Sequence, residues 1–308
     1  MSEPMEPING EAADDKEYRS LWGDVWRQFR RHKGALVGLA IITIIVLACY
    51  VGPYFYPYDP FDIDTANRNQ GPTWSHLMGT DTIGRDVMSR VLVGGRISLS
   101  VGFTAALLGI IIGTAIGILA GFFRRLDAPL MRLTDLFLAI PILPLLLVII
   151  LLFRDRLRTA FGPELGIFLL VVFIIGITSW MQTARIVRGE VLAIKRQEFV
   201  LAAQSIGTRR RNIIMRHIFP NVLSPVMVSA ALGVATAIIT ESALSFLGLG
   251  FPSDFPTWGR LLFDAQSFIE ISPMRVIWPG LLISLTVISV NFIGDGLRDA
   301  LDPKLRSG

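Results

Sequence analysis

The sequence has few of the residues that build metal sites or disulfide frameworks. Its 308 residues include one cysteine, Cys49, and three histidines. A single cysteine can form neither an internal disulfide nor a thiol metal site. His32, His76 and His217 are scattered along the chain, and none has metal-ligand spacing with another. We therefore expect the chain to bind no metal ion and no cofactor of its own.

Charged residues are also scarce, at 18% of the chain, whereas 52% of the residues are hydrophobic. A water-soluble core of ordinary design cannot bury so much apolar surface. Six runs contain no charged residue, and each is close to the ~20 residues with which a helix crosses a bilayer. We predict one membrane span in each run: Gly34–Tyr58, Ile97–Phe123, Leu136–Phe153, Leu165–Ala184, Asn221–Thr240 and Val276–Gly294.

The predicted spans divide the Lys and Arg residues unequally. If the N-terminus lies inside, the cytoplasmic segments hold 20 of them and the outer segments hold 9. Because cytoplasmic loops carry the excess of positive charge, we predict that both termini are cytoplasmic. The short Arg154–Arg158 stretch, on the outer side, departs from this rule. The net charge of +4 then reflects orientation and does not indicate a nucleic-acid partner.

The spans and loops divide the chain into five parts. The first span follows 33 mostly polar residues and is too long for the apolar part of a secretory signal, so we expect it to be retained. Residues 1–20 are polar and acid-rich, and we predict that they are disordered. The parts are a cytoplasmic N-terminal segment (1–33), a first transmembrane helix (34–58), an extracytoplasmic loop (59–96), a five-helix core (97–294) and a cytoplasmic tail (295–308).

Within the N-terminal segment, residues 21–31 place apolar side chains at helical spacing beside three arginines. This pattern predicts an amphipathic helix at the inner membrane surface. A cytoplasmic extension of the first span is the alternative. Farther along, residues 52–96 begin with a stretch rich in Pro, Tyr and Asp, which predicts an ordered outer loop and then a short helix before the second span.

The second span carries glycines at unbroken four-residue intervals. Such a stripe lets another helix approach closely, and in lipid this packing is a main source of helix association. We predict that the stripe is buried in protein, either as simple tight packing or as a face that slides during gating. In the third span, Pro141 and Pro144 predict a kink. The glycines are Gly109, Gly113, Gly117 and Gly121.

The segment Gly79–Asp86 has the two-glycine spacing of a phosphate-binding loop. The position of the phosphate-binding lysine is Arg85, and that of the magnesium-binding Ser or Thr is Asp86. The segment also follows no predicted strand and lies on the outer side. We conclude that this chain does not bind ATP, and we expect Asp81 and Asp86 to cap helices or form ion pairs.

The predicted spans contain no ionisable residue near the bilayer centre, where a proton- or sodium-coupled carrier normally has one. The one candidate, Glu241, lies at the outer end of the fifth span. We interpret it as a carboxylate near water at a helix end, with a pathway or gate role as the alternative. This pattern disfavours a secondary transporter or channel, so the energy would come from a partner protein.

The most basic segment, residues 185–220, has eight Lys or Arg and two acids. It includes Arg209, Arg210 and Arg211 and the small residues Ala202, Ala203 and Gly207. Small residues let a short helix press into a groove, and a glycine permits a sharp turn between two helices. A purely structural membrane anchor would not need them, so we predict a partner-binding loop.

Four stretches together resemble the dipeptide/oligopeptide class of ABC importer permeases, specifically the second of the two paired permeases. They occur in the family's order and, with the first span, extend over nearly the whole chain. They are Gly79-Thr80-Asp81 with Gly84-Arg85-Asp86; the loop Arg185–Asn221; Thr240–Gly250 with Trp258-Gly259; and Gly294–Pro303.

The resemblance implies an all-α membrane protein with six transmembrane helices and a type I ABC importer fold. Its cytoplasmic coupling helix, between helices four and five, would contact the ATPases through Glu198, Ala202, Ala203, Gly207 and the three arginines. The implied partners are a second permease, two ATPase subunits that hold ATP and magnesium, and an extracytoplasmic solute-binding protein. The chain would lie in a bacterial plasma membrane and perform no catalysis.

One departure from the family pattern lies inside this loop. The family has Glu-Ala-Ala where this chain has Leu201-Ala202-Ala203, and Glu198 is the nearest acid. The expected cargo is a dipeptide or oligopeptide. Nickel chelates, opines or oligosaccharides, which relatives of the family carry, are the alternatives.

Overall fold

The computed structural model describes residues 21–301, and within that range the chain is helical apart from its loops and one isolated bridge between Thr80 and Asp86. The predictions for residues 1–20 and for the end of the tail lie outside the described residues. The helices are α1 (Leu21–Arg31), α2 (Lys33–Phe55), α3 (Val87–Phe122), α4 (Arg124–Ala139), α5 (Ile142–Phe161), α6 (Pro163–Ile194), α7 (Glu198–Ser205), α8 (Arg210–Ile213), α9 (Phe219–Phe246), α10 (Trp258–Ala265) and α11 (Met274–Leu301).

Six passages through a membrane can be assigned to these helices. The helices α2, α3, α6 and α11, together with the continuous stretch Arg210–Phe246, are long and apolar enough to cross a bilayer. The sixth passage is the pair α4 and α5, whose axes differ by 86°. The predicted all-α fold is confirmed, and the described residues contain five membrane-length helices, or six spans when the bent pair is counted as one.

Several helices are longer than the uncharged runs from which they were predicted. The predicted short helix leading into the second span is the first part of α3, which continues unbroken from Val87 to Phe122. Residues 154–164, the outer segment between the predicted third and fourth spans, are largely helical as well, because α5 continues to Phe161 and ends only at Gly162. A charged residue ends the uncharged run in the sequence, but the helix continues past it. Arginine is a good helix former, and its side chain can reach water from a helix end.

The chain bends sharply where prolines predicted a kink. The break lies at Ile140–Pro141, between α4 and α5. Pro144 lies in the first turn of α5, where its missing N–H has no intrahelical partner to lose. The predicted kink is therefore a complete break, and α4 is a separate amphipathic helix.

The centre of the bundle is the pair α3 and α6, which the glycine stripe brings together. A Cβ atom added at Gly113 would lie 2.6 Å from the carbonyl oxygen of Trp180, and one at Gly117 would lie 2.7 Å from Cβ of Val187. At Gly121 the distance to Cβ of Val191 would be 2.6 Å. Real Cβ atoms do not approach so closely, so the four glycines lie in direct contact with α6, Gly109 beside Ser179 included.

The N-terminal helix α1 is distinct from the first span. The chain leaves helical geometry at His32, whose Nδ1 accepts a hydrogen bond from the backbone N–H of Ala35 at 2.9 Å and so caps α2. Val25 and Phe29 are buried in a cluster with Ala300 of α11. The alternative of a simple extension of α2 is therefore wrong, and the apolar face of α1 packs on protein.

The six passages place α1, the end of α11 and the basic loop at the same end of the bundle, here called the basic end. The opposite end, here called the far end, consists of residues 56–86 and 247–273. At the basic end, Nζ of Lys195 donates hydrogen bonds to the carbonyl oxygens of Gly121 and Phe122, each at 3.2 Å. These bonds fix the C-cap residue of α6 to the C-terminus of α3.

At the far end, the segment that resembles a phosphate loop is a closed turn. Oδ1 of Asp81 accepts hydrogen bonds from the backbone N–H groups of Ile83 and Arg85, at 3.0 and 2.9 Å. Asp86 caps α3 through the N–H of Ser89 and accepts a hydrogen bond from the hydroxyl of Tyr56. The carboxylates of Asp81 and Asp86 thus accept hydrogen bonds from the backbone N–H groups that a bound phosphate would need as donors. Burial, assisted by the charge of Asp86, raises the pKa of Tyr56 above its usual range.

Candidate functional site

The basic loop folds into a short helix that is attached firmly to the bundle. In α7, Val200 and Ala203 are buried against Ile213 and Ile218 of the following turn and Val191 of α6. The two α7 residues are three apart, and this spacing places both on one face of a helix. Burial of this face fixes the rotation of α7 and decides which residues face outward.

Large apolar side chains are exposed around the rest of α7 and on the turn that follows it. Phe199, Leu201 and Ile206 have 46%, 48% and 82% of their surface exposed, and Met215 has 56%. Ala202 is exposed between them. A cluster of exposed apolar residues in a charged segment marks an interaction surface. We call Phe199, Leu201, Ala202, Ile206 and Met215 the basic-end patch.

Sequence reasoning found one of these five residues, Ala202, and did not identify the four larger ones. Their signal was present in the sequence, because Phe199, Leu201, Ile206 and Met215 are large apolar residues between charged ones in a segment outside the predicted spans. A large apolar residue in such a segment is either buried within its own chain or covered by a partner. Only the three-dimensional structure shows which of these applies.

Ala203 differs from the expectation that it faces a partner together with Ala202. Its side chain points into the chain's own cluster, and 7% of its surface is exposed. The physical reason is the step of 100° per residue along a helix, which turns neighbouring residues to different faces. The two alanines cannot serve the same surface.

Gly207 ends α7 in a Schellman turn. Its φ is +77°, its N–H bonds the carbonyl oxygen of Gln204 at 3.0 Å, and the N–H of Thr208 bonds that of Ala203 at 3.1 Å. A Cβ atom at Gly207 would have no neighbour within 4 Å. The glycine is therefore needed for its backbone angle, and space is not the constraint.

The charged candidates of the loop surround the basic-end patch. Glu198, Arg209, Arg210 and Arg211 are all exposed. Among residues 21–301, none of the four forms an ion pair. Their charges are thus available to a partner. Glu198 lies three residues before Leu201, on the same face of α7.

Two ion pairs tie α4 to α6 beside this loop. Nε and Nη2 of Arg188 bind the two carboxylate oxygens of Asp127 at 2.5 and 2.8 Å, a bidentate arrangement. Arg185 pairs with Asp135. With the glycine contact between α3 and α6, these pairs join α7 to three helices of the bundle.

Glu241 does not lie near water, so our interpretation of it as an exposed helix-end carboxylate is wrong. It is fully buried, and it accepts hydrogen bonds from the hydroxyls of Ser98 at 3.1 Å and Ser245 at 2.8 Å. The Oγ of Ser98 also accepts the backbone N–H of Trp258 at 3.2 Å. The carboxylate joins α9 to α3, and through Ser98 to α10, because α9 continues to Phe246, beyond the predicted end of the span at Thr240.

The described residues contain no group of three or more His, Cys, Asp or Glu side chains that could hold a metal ion. The candidate site therefore consists of a docking surface at the basic end and a set of rigid connections behind it.

Comparison with known families gives a match over most of the chain. A family model described as "Binding-protein-dependent transport system inner membrane component" matches residues 90–307. A second, described as "N-terminal TM domain of oligopeptide transport permease C", matches residues 20–72.

Curated relatives are similar over nearly their whole length. The chain is 38% identical to the dipeptide transport system permease protein DppC of Alkalihalophilus pseudofirmus, over 98% of this chain and 96% of the relative. It is 39% identical to the oligopeptide transport system permease protein OppC of Bacillus subtilis, over 99% of this chain and 97% of that protein.

A solved structure shares the fold at lower sequence identity. A chain of the MetNI methionine ABC transporter, in an inward-facing conformation, matches with a TM-score of 0.57 and 17% identity. The match covers 70% of this chain and 98% of the other. At this identity the likeness shows the fold alone.

Proposed function

Because this chain belongs to the family of binding-protein-dependent transport system inner membrane components, we propose that it forms half of the translocation pathway of an ATP-driven peptide importer. It is a non-catalytic permease subunit of a bacterial inner membrane. The second half of the pathway would come from a different permease, and an extracytoplasmic binding protein would deliver the cargo.

The basic-end patch is the observation that carries the proposal. An importer of this kind needs a place where two ATPase subunits, which hold ATP and magnesium, push on the permease. The patch offers exposed apolar side chains for burial and uncompensated charges around them. Glu198 would supply the acid that the family pattern has at the position of Leu201.

The connections behind the patch explain how a push would reach the pathway. The buried face of α7 packs on α6, and α6 contacts α3 along the glycine stripe and α4 through Arg188 and Asp127. Closely packed helices move as bodies rather than deform. When the ATPases close around ATP, α3, α4 and α6 would therefore move together and switch the pathway between its two sides.

Glu241 would serve as a structural connection in this scheme. Its carboxylate holds α9 to α3, and Ser98 continues the connection to α10, so it fixes the far end of the bundle while the basic end receives the push.

The cargo assignment to dipeptides or oligopeptides rests on what the full-length relatives are named for. The test is uptake of a labelled dipeptide into vesicles that contain the complete importer, with the binding protein outside and ATP inside. We expect uptake to require both ATP and the binding protein. Uptake driven by an ion gradient without ATP would favour a secondary transporter, and competition by a nickel chelate but not by peptides would favour the alternative cargo.

Orientation is tested separately with single cysteines. Ser75, at the far end, and Gln204, in α7, are both exposed, and the native Cys49 is buried. We propose that the basic end is cytoplasmic, with both termini there. A membrane-impermeant thiol reagent should label Ser75→Cys from outside and Gln204→Cys only after the membrane is opened. Labelling of both from the same side contradicts the topology.

A further inference from the structure

The far end contains a cleft of about 440 Å³ that has no part in the coupling just described. It lies between the start of α3, the turn at residues 81–85, the loop before α10 and the start of α11. Its volume falls within the range of about 300–1,000 Å³ that is typical of small-molecule sites. Its charged lining residues are three arginines and three aspartates: Arg85, Arg90, Arg275, Asp81, Asp254 and Asp264.

Arg90 is buried in the wall of this cleft, with 1% of its surface exposed. Nη2 donates a hydrogen bond to the carbonyl oxygen of Ser253 at 3.1 Å. Nη1 lies 3.8 Å from the carboxylate of Asp81 and makes no hydrogen bond to any residue in the described range. A buried guanidinium nitrogen without a hydrogen-bond partner is uncommon and costly.

Arg275 and Asp264 repeat this pattern in the same cleft. Arg275, with 7% of its surface exposed, donates from Nη2 to Oδ1 of Asn69 at 3.0 Å, while its Nε has no partner among residues 21–301. Oδ1 of Asp264 pairs with Arg260 at 2.9 Å, whereas its Oδ2 is buried without a hydrogen bond in that part of the chain, 3.7 Å from Arg90. The cleft therefore has both donors and an acceptor in excess of what the chain itself satisfies.

The balance of charge selects the kind of ligand. The lining carries three positive and three negative side chains, and Arg85 and Asp81 pair with each other at 2.7 Å. The remaining two arginines and two aspartates would leave either a simple anion or a simple cation beside charges of its own sign. A small zwitterion can satisfy both signs at once. Guanidinium groups bind carboxylates through paired hydrogen bonds, and aspartates accept hydrogen bonds from an ammonium group.

We propose that this cleft binds a short peptide by its free termini, with the terminal carboxylate at Arg90 and Arg275 and the terminal ammonium at Asp254 and Asp264. The site would hold cargo at the mouth of the pathway. This inference rests on the proposed function in peptide import. A carboxylate side chain of the binding protein could use the same arginines, and the experiment separates these two sources.

The test is direct binding of dialanine to the complete importer in lipid nanodiscs, without the binding protein. We expect saturable binding. Blocking the amino terminus by acetylation or the carboxyl terminus by amidation should each weaken it about tenfold or more, because each removes a charge-assisted contact.

Two variants assign the termini to their residues. Arg275→Gln should weaken binding of dialanine about tenfold and leave the amidated peptide unchanged. Asp254→Asn should weaken dialanine similarly and leave the acetylated peptide unchanged. Asp254 is exposed, so this variant tests the site even if Arg275→Gln fails to fold. Arg68→Gln, an exposed arginine of the far-end loop that is not among the lining residues, is the matched control and should bind like the unaltered chain.

The outcomes separate this inference from the proposed function. Two outcomes overturn the cleft proposal and leave peptide import intact, each seen beside normal ATP-driven peptide uptake. One is the absence of saturable binding to the isolated complex, and the other is binding of the acetylated and amidated peptides as tight as that of dialanine. If Arg275→Gln weakens docking of the binding protein but not binding of dialanine, the cleft proposal is also overturned. Absence of peptide uptake by the complete importer would instead contradict the proposed function.

Discussion

Two short helices lie on either side of α9, and they differ in what covers them. Both α7 and α10 have eight residues, and glycine turns lie at their sides of α9: Gly207 ends α7, and Gly248 ends α9 ahead of the loop to α10. In α10, four residues are buried by the rest of the chain, and the fully enclosed Trp258 donates from its indole N–H to the carbonyl oxygen of Val91 at 3.0 Å. In α7, only Val200 and Ala203 are buried.

The difference shows which of the two helices the chain buries by itself. The pocket for α10 is made by α3, α9 and α11, with Thr257 as its N-cap and Gly259 against the backbone of Ser242. The exposed residues of α7 have no such cover within the described residues, although Phe199 and Leu201 are large and apolar. We therefore interpret α10, which the chain's own helices cover, as a structural element. The exposed side of α7 needs another protein to cover it.

The largest expected effect is at the buried helix. Trp258→Ala removes the side chain around which α10 packs and should lower the free energy of unfolding by about 3–5 kcal/mol. We expect little assembled complex and a lower midpoint of thermal unfolding in detergent. Trp74→Ala is the matched control, because Trp74 is 98% exposed and should change neither value. Equal stability of the two variants would show that α10 is not held as described.

A smaller effect is expected at the contact that connects the two ends. Gly113→Leu forces a side chain between α3 and α6, where overpacking costs about 1–3 kcal/mol. Thermal unfolding and yield of the complex measure this loss. Gly189→Leu is the control, since a Cβ atom at Gly189 of α6 has no neighbour within 4 Å. If both variants assembled normally, α3 and α6 would not be in the close contact on which the connection depends.

The smallest expected change in stability is at the turn after α7. Gly207→Val places a β-branched residue at φ +77°, at a cost of about 1–2 kcal/mol. Uptake should fall, because the exposed helix loses its fixed direction. Gly207→Asn should retain more activity, since asparagine tolerates this conformation better. Gly71→Val tests the same replacement in an open loop with ordinary backbone angles and should transport normally. Equal uptake by Gly207→Val and Gly71→Val would remove the turn from the mechanism.

The sequence predicted the six spans and the glycine stripe because both follow from patterns along one helix. Absence of charge and a four-residue interval need no knowledge of neighbouring helices. The bounds of α5 and α9 were missed because a helix end depends on capping and contacts, which need not coincide with the first charged residue.

The parts of the site that sequence reasoning could not predict depend on helix rotation. Whether Ala202 or Ala203 faces outward is decided by the cluster around Ile213 and Ile218, which lie about ten residues or more along the chain. The burial of Glu241 depends on Ser98, 143 residues away. Such contacts join distant segments, and no local spacing reports them.

The most direct test of the account compares Ala202→Asp with the unaltered chain and with Ala203→Asp. The measurement is the amount of ATPase subunits that co-purify with the permease, alongside thermal unfolding. We predict that Ala202→Asp keeps its stability but loses the ATPases, because a carboxylate buried in the docking contact would lack a partner. Ala203→Asp should lose stability first, because its side chain lies inside the chain. If Ala202→Asp retained the ATPases and transported peptide normally, the basic-end patch would not be the coupling surface.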